Sequence, residues 1–302
     1  MKTPFQEIFD KDLIGRHSDQ QKINQILGQA MAENMSPSVE DPVKTLFLAI
    51  DMQNDFMENG ELAVPGSHAD VYNAARFLYE HMEKITHIAV SLDTHQPQQI
   101  FHPGWWVDQN GNHPTPFTII SADEVQNGVW KAVRNQAESL EYAINLKKKS
   151  RKDLCIWPYH CLEGTFGAAL ESQFGHLVYF HSVARNAVTE RLVKGKDPLS
   201  EMYGIIRPEY DLDNYYNHQF LHQLATYDRI IIAGEAKSHC VLESVRQILE
   251  HFADNQKITS RLYLLEDCMS SIPGFEEITE QAFELFRQEY KVNIMKSTEL
   301  AL

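Results

Sequence analysis

The stretch Arg229-Ile-Ile-Ile-Ala-Gly-Glu-Ala-Lys-Ser-His-Cys240 decides how this chain folds. Arg229 to Gly234 form a continuous apolar run closed by glycine, the pattern of a strand buried on both faces. Val241, Leu242, Val245, Ile248, Leu249 and Phe252 then recur at helical spacing. The turn Glu235 to His239 between them delivers Cys240 at the first residues of the helix. There, unpaired backbone N–H groups and the positive end of the helix dipole are expected to lower a thiol's pKa. Cys240 is therefore a nucleophile candidate, although an isolated cysteine is more often a small buried residue.

Further apolar runs lie outward from this unit: Thr45 to Ile50, His87 to Leu92, Leu177 to His181 and Arg261 to Leu265, each read as a buried parallel strand. Helical patterns separate them, clearest at Ala69 to Lys84, and Glu276 to Tyr290 reads as a closing helix before a short strand at Val292 to Met295. The β-α-β-α order predicts an α/β fold, a doubly wound and mostly parallel sheet with helices on both faces. Residues 1–42 read as an N-terminal helical extension outside the sheet, ending at Ser36-Pro37 and Asp41-Pro42. Residues 43–302 form the main domain, with an insertion at about 103–152 whose closing basic run, Lys147 to Lys152, reads as a solvated face.

A net charge of −15 argues against nucleic acid or an anionic membrane as partner, and no apolar run approaches the length of a span. A small-molecule substrate is expected instead. Four cysteines are too few for a disulfide framework, and with no apolar segment behind Lys2 the expected compartment is the cytoplasm.

The strand ends carry the chemistry. Asp51 follows the first strand, Asp93 the second, and Cys240 the turn after a later one, so all three project at the carboxyl edge of the sheet, where open α/β folds bind ligands. Asp93-Thr94-His95 places a carboxylate and an imidazole on one side of an extended segment, a pair able to grip a divalent cation. His160, in Trp157-Pro158-Tyr159-His160-Cys161, is the candidate third ligand, and His102 a weaker fourth. Alone, a strand-end Asp or an Asp-x-His triplet is more often a cap or a surface feature, and His160 reads equally as a hydrogen-bonded loop histidine.

In the order AIDMQNDF, Gly60-Glu61-Leu62-Ala63-Val64, SLDTH, WPYHCLEGTFG, VKG and AGEAKSHCV, from about residue 45 to 295, the chain resembles the isochorismatase-like cysteine hydrolases, and among them the nicotinamidases. The pairing of WPxHC with an upstream Asp-x-His marks the metal-containing branch of that superfamily. The resemblance implies a triad of Asp51 as general base, Lys194 as its orienting cation and Cys240 as nucleophile. It implies an oxyanion site from the backbone N–H groups of Ala236 and Cys240, with the unusual peptide of the turn at Glu235-Ala236. Phe56 and Trp157 take the places of the aromatic pair around the substrate ring. Asp93, His95 and His160 would hold one divalent transition metal, zinc first, with iron or manganese also acceptable to an oxygen-plus-imidazole set.

The expected reaction is hydrolysis of a small carboxamide, foremost nicotinamide, by a homo-oligomer. The alternatives are an amidase for another small amide, ureide or hydroxamate, and a non-catalytic binding protein on the same fold. Three positions depart from the resemblance: Glu235 in place of an apolar residue, Ser238 where many relatives have Asp, and the run Met202 to Ile206 after the lysine.

Overall fold

A computed structural model describes residues 1–302. Its core is a six-stranded sheet. The strands are β1 (Thr45–Ile50), β2 (His87–Asp93), β3 (Glu190–Lys194), β4 (Arg229–Gly234), β5 (Leu262–Leu265) and β6 (Asn293–Met295). They lie in the order β6-β5-β4-β1-β2-β3, and every pair is parallel. The strand order reverses between β1 and β4, and a crevice opens at the carboxyl ends of strands at such a reversal. The expected α/β doubly wound architecture is the one observed.

Seven longer helices accompany the sheet: α1 (Gln20–Ala32), α2 (Ser67–Glu80), α3 (Gln136–Ser150), α4 (Ser172–Ala184), α5 (His218–Leu224), α6 (Leu242–His251) and α7 (Glu276–Tyr290). Side chains alternate across each strand, so β1 sends Phe47 and Ala49 into a core shared with α1, α2 and α4. Its Leu46, Leu48 and Ile50 enter the opposite core with α5, α6 and α7. No helix is long and apolar enough to cross a membrane.

One strand assignment is corrected. The run Leu177 to His181 is not a strand but the middle of α4, and the strand beyond β2 is Glu190–Lys194. Helix α4 is packed on the sheet side and covered by α1, so Phe174, Leu177, Val178 and Phe180 are all buried. An all-round apolar helix segment has the same composition as a buried strand. Strand β3 is an edge strand with alternating exposure, and its sequence ERLVK carries little apolar signal.

The first 42 residues contribute Phe5, Ile8, Phe9, Ile14, Ile26 and Ala30 to the α2/α4 core. The Phe5 ring stacks on Phe9 at 5.1 Å and meets Tyr79 edge-on at 5.2 Å. The segment from Ile100 to Trp157 has a smaller core of its own, built on Trp105, Trp106, Tyr142 and Leu146. Its basic end is not wholly a solvated face: Lys152 reaches both Glu209 and Glu243 at 2.9 Å. Because Phe5 sits in the same core as α2, Phe5→Ala should lower the unfolding free energy of the whole chain by about 3–5 kcal/mol in urea titration. A wild-type midpoint in that variant would mean that the N-terminal segment does not share the core.

Candidate active site

Four chain segments meet where the strand order reverses. Asp51 leaves the end of β1 with φ of 45° and is fully buried. Asp93 and Lys194 end β2 and β3 as register partners, so their side chains share a face. Cys240 follows β4 in a π-helical turn, Lys237–Val241, that runs into α6. Gly234 ends β4 at φ of 136°, and a Cβ there would collide with the backbone of Ile50. That close approach brings the Cys240 turn against the end of β1.

Lys194 organises the cluster. Its Nζ lies 2.8 Å from Asp51 Oδ2, 3.2 Å from Asp93 Oδ1 and 3.7 Å from Cys240 Sγ, and donates to the Met202 carbonyl at 3.1 Å. Burial opposes the ammonium charge, but the two carboxylates outweigh it and hold the Lys194 pKa well above its usual value. Burial pushes the Asp51 carboxyl up, and nearby Asp93 adds to this while Lys194 opposes it. Asp93 goes the other way: burial resists its charge, but His95 and Lys194 together hold it well below the usual carboxylate range.

The Cys240 thiol differs from its expected state. It is buried, and burial pushes its pKa well up despite the opposing Lys194 charge, so the helix start does not deliver a resting thiolate. A proton must leave Sγ before attack, and the carboxylate of Asp51 faces the same thiol.

Two histidines complete the neighbouring cluster. His95 N–H donates to the Cys161 carbonyl at 2.9 Å, which draws the loop carrying His160 against the end of β2. The Nδ1 atoms of His95 and His160 sit 3.0 Å and 2.8 Å from the carbonyls of Gly195 and Pro158. A carbonyl only accepts, so each Nδ1 carries a proton, and each Nε2 is the ring nitrogen left to face Asp93. Those Nε2 atoms lie 2.9 Å and 3.7 Å from Asp93 Oδ2, and the three ligand atoms fall within 4.8 Å of one another. Two imidazole nitrogens and a carboxylate oxygen gathered in this way form a donor set that fits a divalent transition metal. His102 is buried beside them, its ring 5.8 Å from that of His95, and neither of its nitrogens has a partner. It stands outside the converging set.

A small, mostly apolar cavity joins the two clusters, with Cys240, Ala236, Phe56 and Trp157 on its wall and Asp93, His95 and His160 at one end. The Glu235-Ala236 peptide is cis, and the Ala236 N–H donates to no protein acceptor. Glu235 is accommodated by Asp70: burial first, and then the neighbouring Asp70 carboxyl, push Glu235 well up, while burial takes Asp70 to about 6. A protonated Glu235 fills an apolar position without bringing a charge. Ser238 Oγ accepts from Ile272 N–H at 3.0 Å and thereby holds another cavity residue.

The residue types alone did not single out several members of the site. Ser91 donates to Asp51 Oδ1 at 2.5 Å, and Gln53 clamps the Asp93 backbone, accepting from its N–H at 2.7 Å and donating to its carbonyl at 2.8 Å. Ser91 lies two residues before Asp93 on the same strand face, a signal that period-two reading recovers. Glu201, Tyr203, His239 and Phe101 also line the cavity.

No protein-family model matches the chain, and no curated protein matches its sequence. Solved structures do match. The chain is similar to a nicotinamidase/pyrazinamidase of Acinetobacter baumanii, at 17% identity over 87% of this chain and 100% of that one, with a TM-score of 0.58. It is similar to the yeast nicotinamidase Pnc1p bound to nicotinaldehyde, at 18% identity over 83% and 99% of the two chains and a TM-score of 0.57. PnC1 from L. infantum in complex with nicotinate matches at 17% identity over 88% and 98%, with a TM-score of 0.52. The fold is thus the α/β fold of nicotinamidases, as the sequence resemblance implies.

If Asp93, His95 and His160 hold one ion, the purified protein should carry about one transition metal per chain by elemental analysis. His160→Ala should lose most of it, and His102→Ala less. Full retention by both His95→Ala and His160→Ala would remove the assignment.

Proposed function

We propose that this chain is a metal-containing cysteine amidohydrolase that cleaves a small heteroaromatic carboxamide, nicotinamide foremost, to the acid and ammonia. The observation that carries the reading is the contact of one buried Lys194 with Asp51, Asp93 and Cys240, the last two of which share the wall of one small cavity with His95 and His160. A binding module has no use for a buried thiol, carboxylate and ammonium in mutual contact.

The chemistry follows from the protonation states. The Cys240 thiol passes its proton to Asp51, whose raised affinity for protons suits it to a base that must later act as an acid. Lys194 stays charged and balances whichever of Asp51 or Cys240 is the anion. Sγ attacks the amide carbon, and the oxyanion is held by the backbone N–H groups of Ala236 and Cys240. Asp51 returns the proton to the departing nitrogen, which leaves as ammonia and a thioester. Water then cleaves the thioester, giving its proton back through Asp51 to Sγ, so thiol and acid are regenerated. Asp93, His95 and His160 would hold a divalent ion, which would supply Lewis acidity toward a substrate nitrogen or a water at that end of the cavity. Phe56 and Trp157 supply the apolar faces for the ring.

Cys240→Ser should lower turnover by on the order of 10³ or more while keeping the fold and the bound metal, measured as ammonia release. Inactivation by iodoacetamide should label Cys240; labelling at Cys161 or Cys268 with Cys240 untouched would exclude it as nucleophile.

The substrate preference has its own check. Nicotinamide and pyrazinamide should be hydrolysed, and benzamide, which has the same shape without the ring nitrogen, should have kcat/KM lower by about two powers of ten or more, because the polar end of the cavity is left unmatched. Turnover of an aliphatic amide with none of nicotinamide would point to the other amidase reading.

A further inference from the structure

Glu201 is buried in the cavity wall, where its carboxyl closes a hydrogen-bonded chain that the proposed chemistry does not use. Trp157 Nε1–H donates to the Tyr203 hydroxyl oxygen at 3.1 Å, and that hydroxyl donates to Glu201 Oε1 at 2.6 Å. From the other side, the hydroxyl of Tyr142 donates to Oε2 at 3.1 Å and accepts the N–H of Glu201 at 3.0 Å. Tyr142 belongs to α3, in the inserted segment, and Tyr203 to the Met202–Ile206 run. Both phenols spend their only proton on the carboxylate. An ionised Glu201, which only accepts, satisfies the chain completely.

We propose that Glu201 is a positioning residue: anchored by Tyr142 of the insertion, its carboxylate holds Tyr203 and, through it, sets the Trp157 ring that forms one wall of the substrate cavity. The insertion is thereby part of the specificity wall. The inference rests on the reading of this cavity as the substrate site.

The charges around the group make the proposal testable. Facing Glu201 are Tyr142, Tyr203, Glu209, Lys152 and Cys155, and the Lys152 ammonium also lies 5.0 Å from the Tyr203 ring centre. Burial pushes the Glu201 carboxyl up to about 7, with the Tyr203 hydrogen bond opposing and Glu209 adding to the rise. His239, whose ring packs 5.6 Å from that of Trp157, is held down at about 4 by burial and does not titrate in the same range. When Glu201 takes a proton it must donate to a phenol whose oxygen already accepts an N–H, and that phenol's own proton loses its acceptor. The chain is then broken below about pH 7 and intact above it.

Trp157 fluorescence of the protein without substrate is the first readout, obtained by subtracting the spectrum of Trp157→Phe so that the other three tryptophans cancel. A transition with a midpoint near 7 is expected, absent in Glu201→Gln. In Tyr142→Phe it should move upward by about one unit, since a donor to the ionised form is lost. In the amidase assay, Glu201→Gln should raise KM about tenfold with kcat changed less than about twofold. A transition that survives Glu201→Gln, or a kcat loss with KM unchanged, overturns the proposal. If the protein hydrolyses no amide while the Trp157 signal still follows Glu201, the amidase reading fails and the positioning role stands.

Discussion

The ammonium of Lys194, shared between Asp51 and Asp93, is the contact on which the site depends. Two buried carboxylates at adjacent strand ends repel each other, and neither is solvated. One cation between them lets both occupy the same crevice, and removing it would leave uncompensated buried charge at a cost of about 3–5 kcal/mol. The same contact divides the labour. Asp93, with His95 added to Lys194, is driven firmly to the ionised state that a cation site requires, while Asp51 keeps a higher proton affinity suited to exchange with a thiol. Two aspartates of identical chemistry are separated by their surroundings.

Topology is what makes this sharing possible. In the order β6-β5-β4-β1-β2-β3, the ends of β1, β2 and β3 lie side by side, so Asp51, Asp93 and Lys194 come from three consecutive strands of the sheet. The turn after β4 closes over them from the other side of the reversal. Residues 143 positions apart in sequence are brought to 2.8 Å by strand register alone, with little help from loops. The helices on the two faces serve to hold that register.

Much of this was legible in the sequence because strand ends are legible. An apolar run followed at once by Asp51, or by Asp93-Thr94-His95, fixes both the strand and the side of the sheet at which the polar group emerges. The fold class and the clustering of Asp51, Asp93 and Cys240 followed from that pattern, whereas Lys194 depended on the resemblance because β3 is a polar edge strand. Helix α4 was misread for the complementary reason: covered on its outer side by α1, it had no polar face to display at Leu177 to His181. The protonation of Cys240 was beyond local reading altogether. A helix start lowers a thiol's pKa only where the solvent leaves the charge stable, and here burial dominates. Gln53 and Glu201 act through partners far away in sequence, Asp93 and Tyr142, so no local pattern marks them.

The carboxyl pair Glu235 and Asp70 beneath the Cys240 turn has a consequence for how folding couples to acidity. Both groups bind protons more tightly in the folded chain than in an unfolded one, where they titrate near 4.5 and 3.8. Between about 4 and 6, therefore, the native state holds more protons at Asp70 than the denatured state does, and this pair's contribution to stability declines as the solution becomes more alkaline across that window. Glu235 extends the decline to higher pH. Most buried carboxylates in ion pairs act in the opposite sense, and Asp93 is one of them. Across that window folding takes up protons beneath the Cys240 turn, and the acid limb of the stability curve is blunted there.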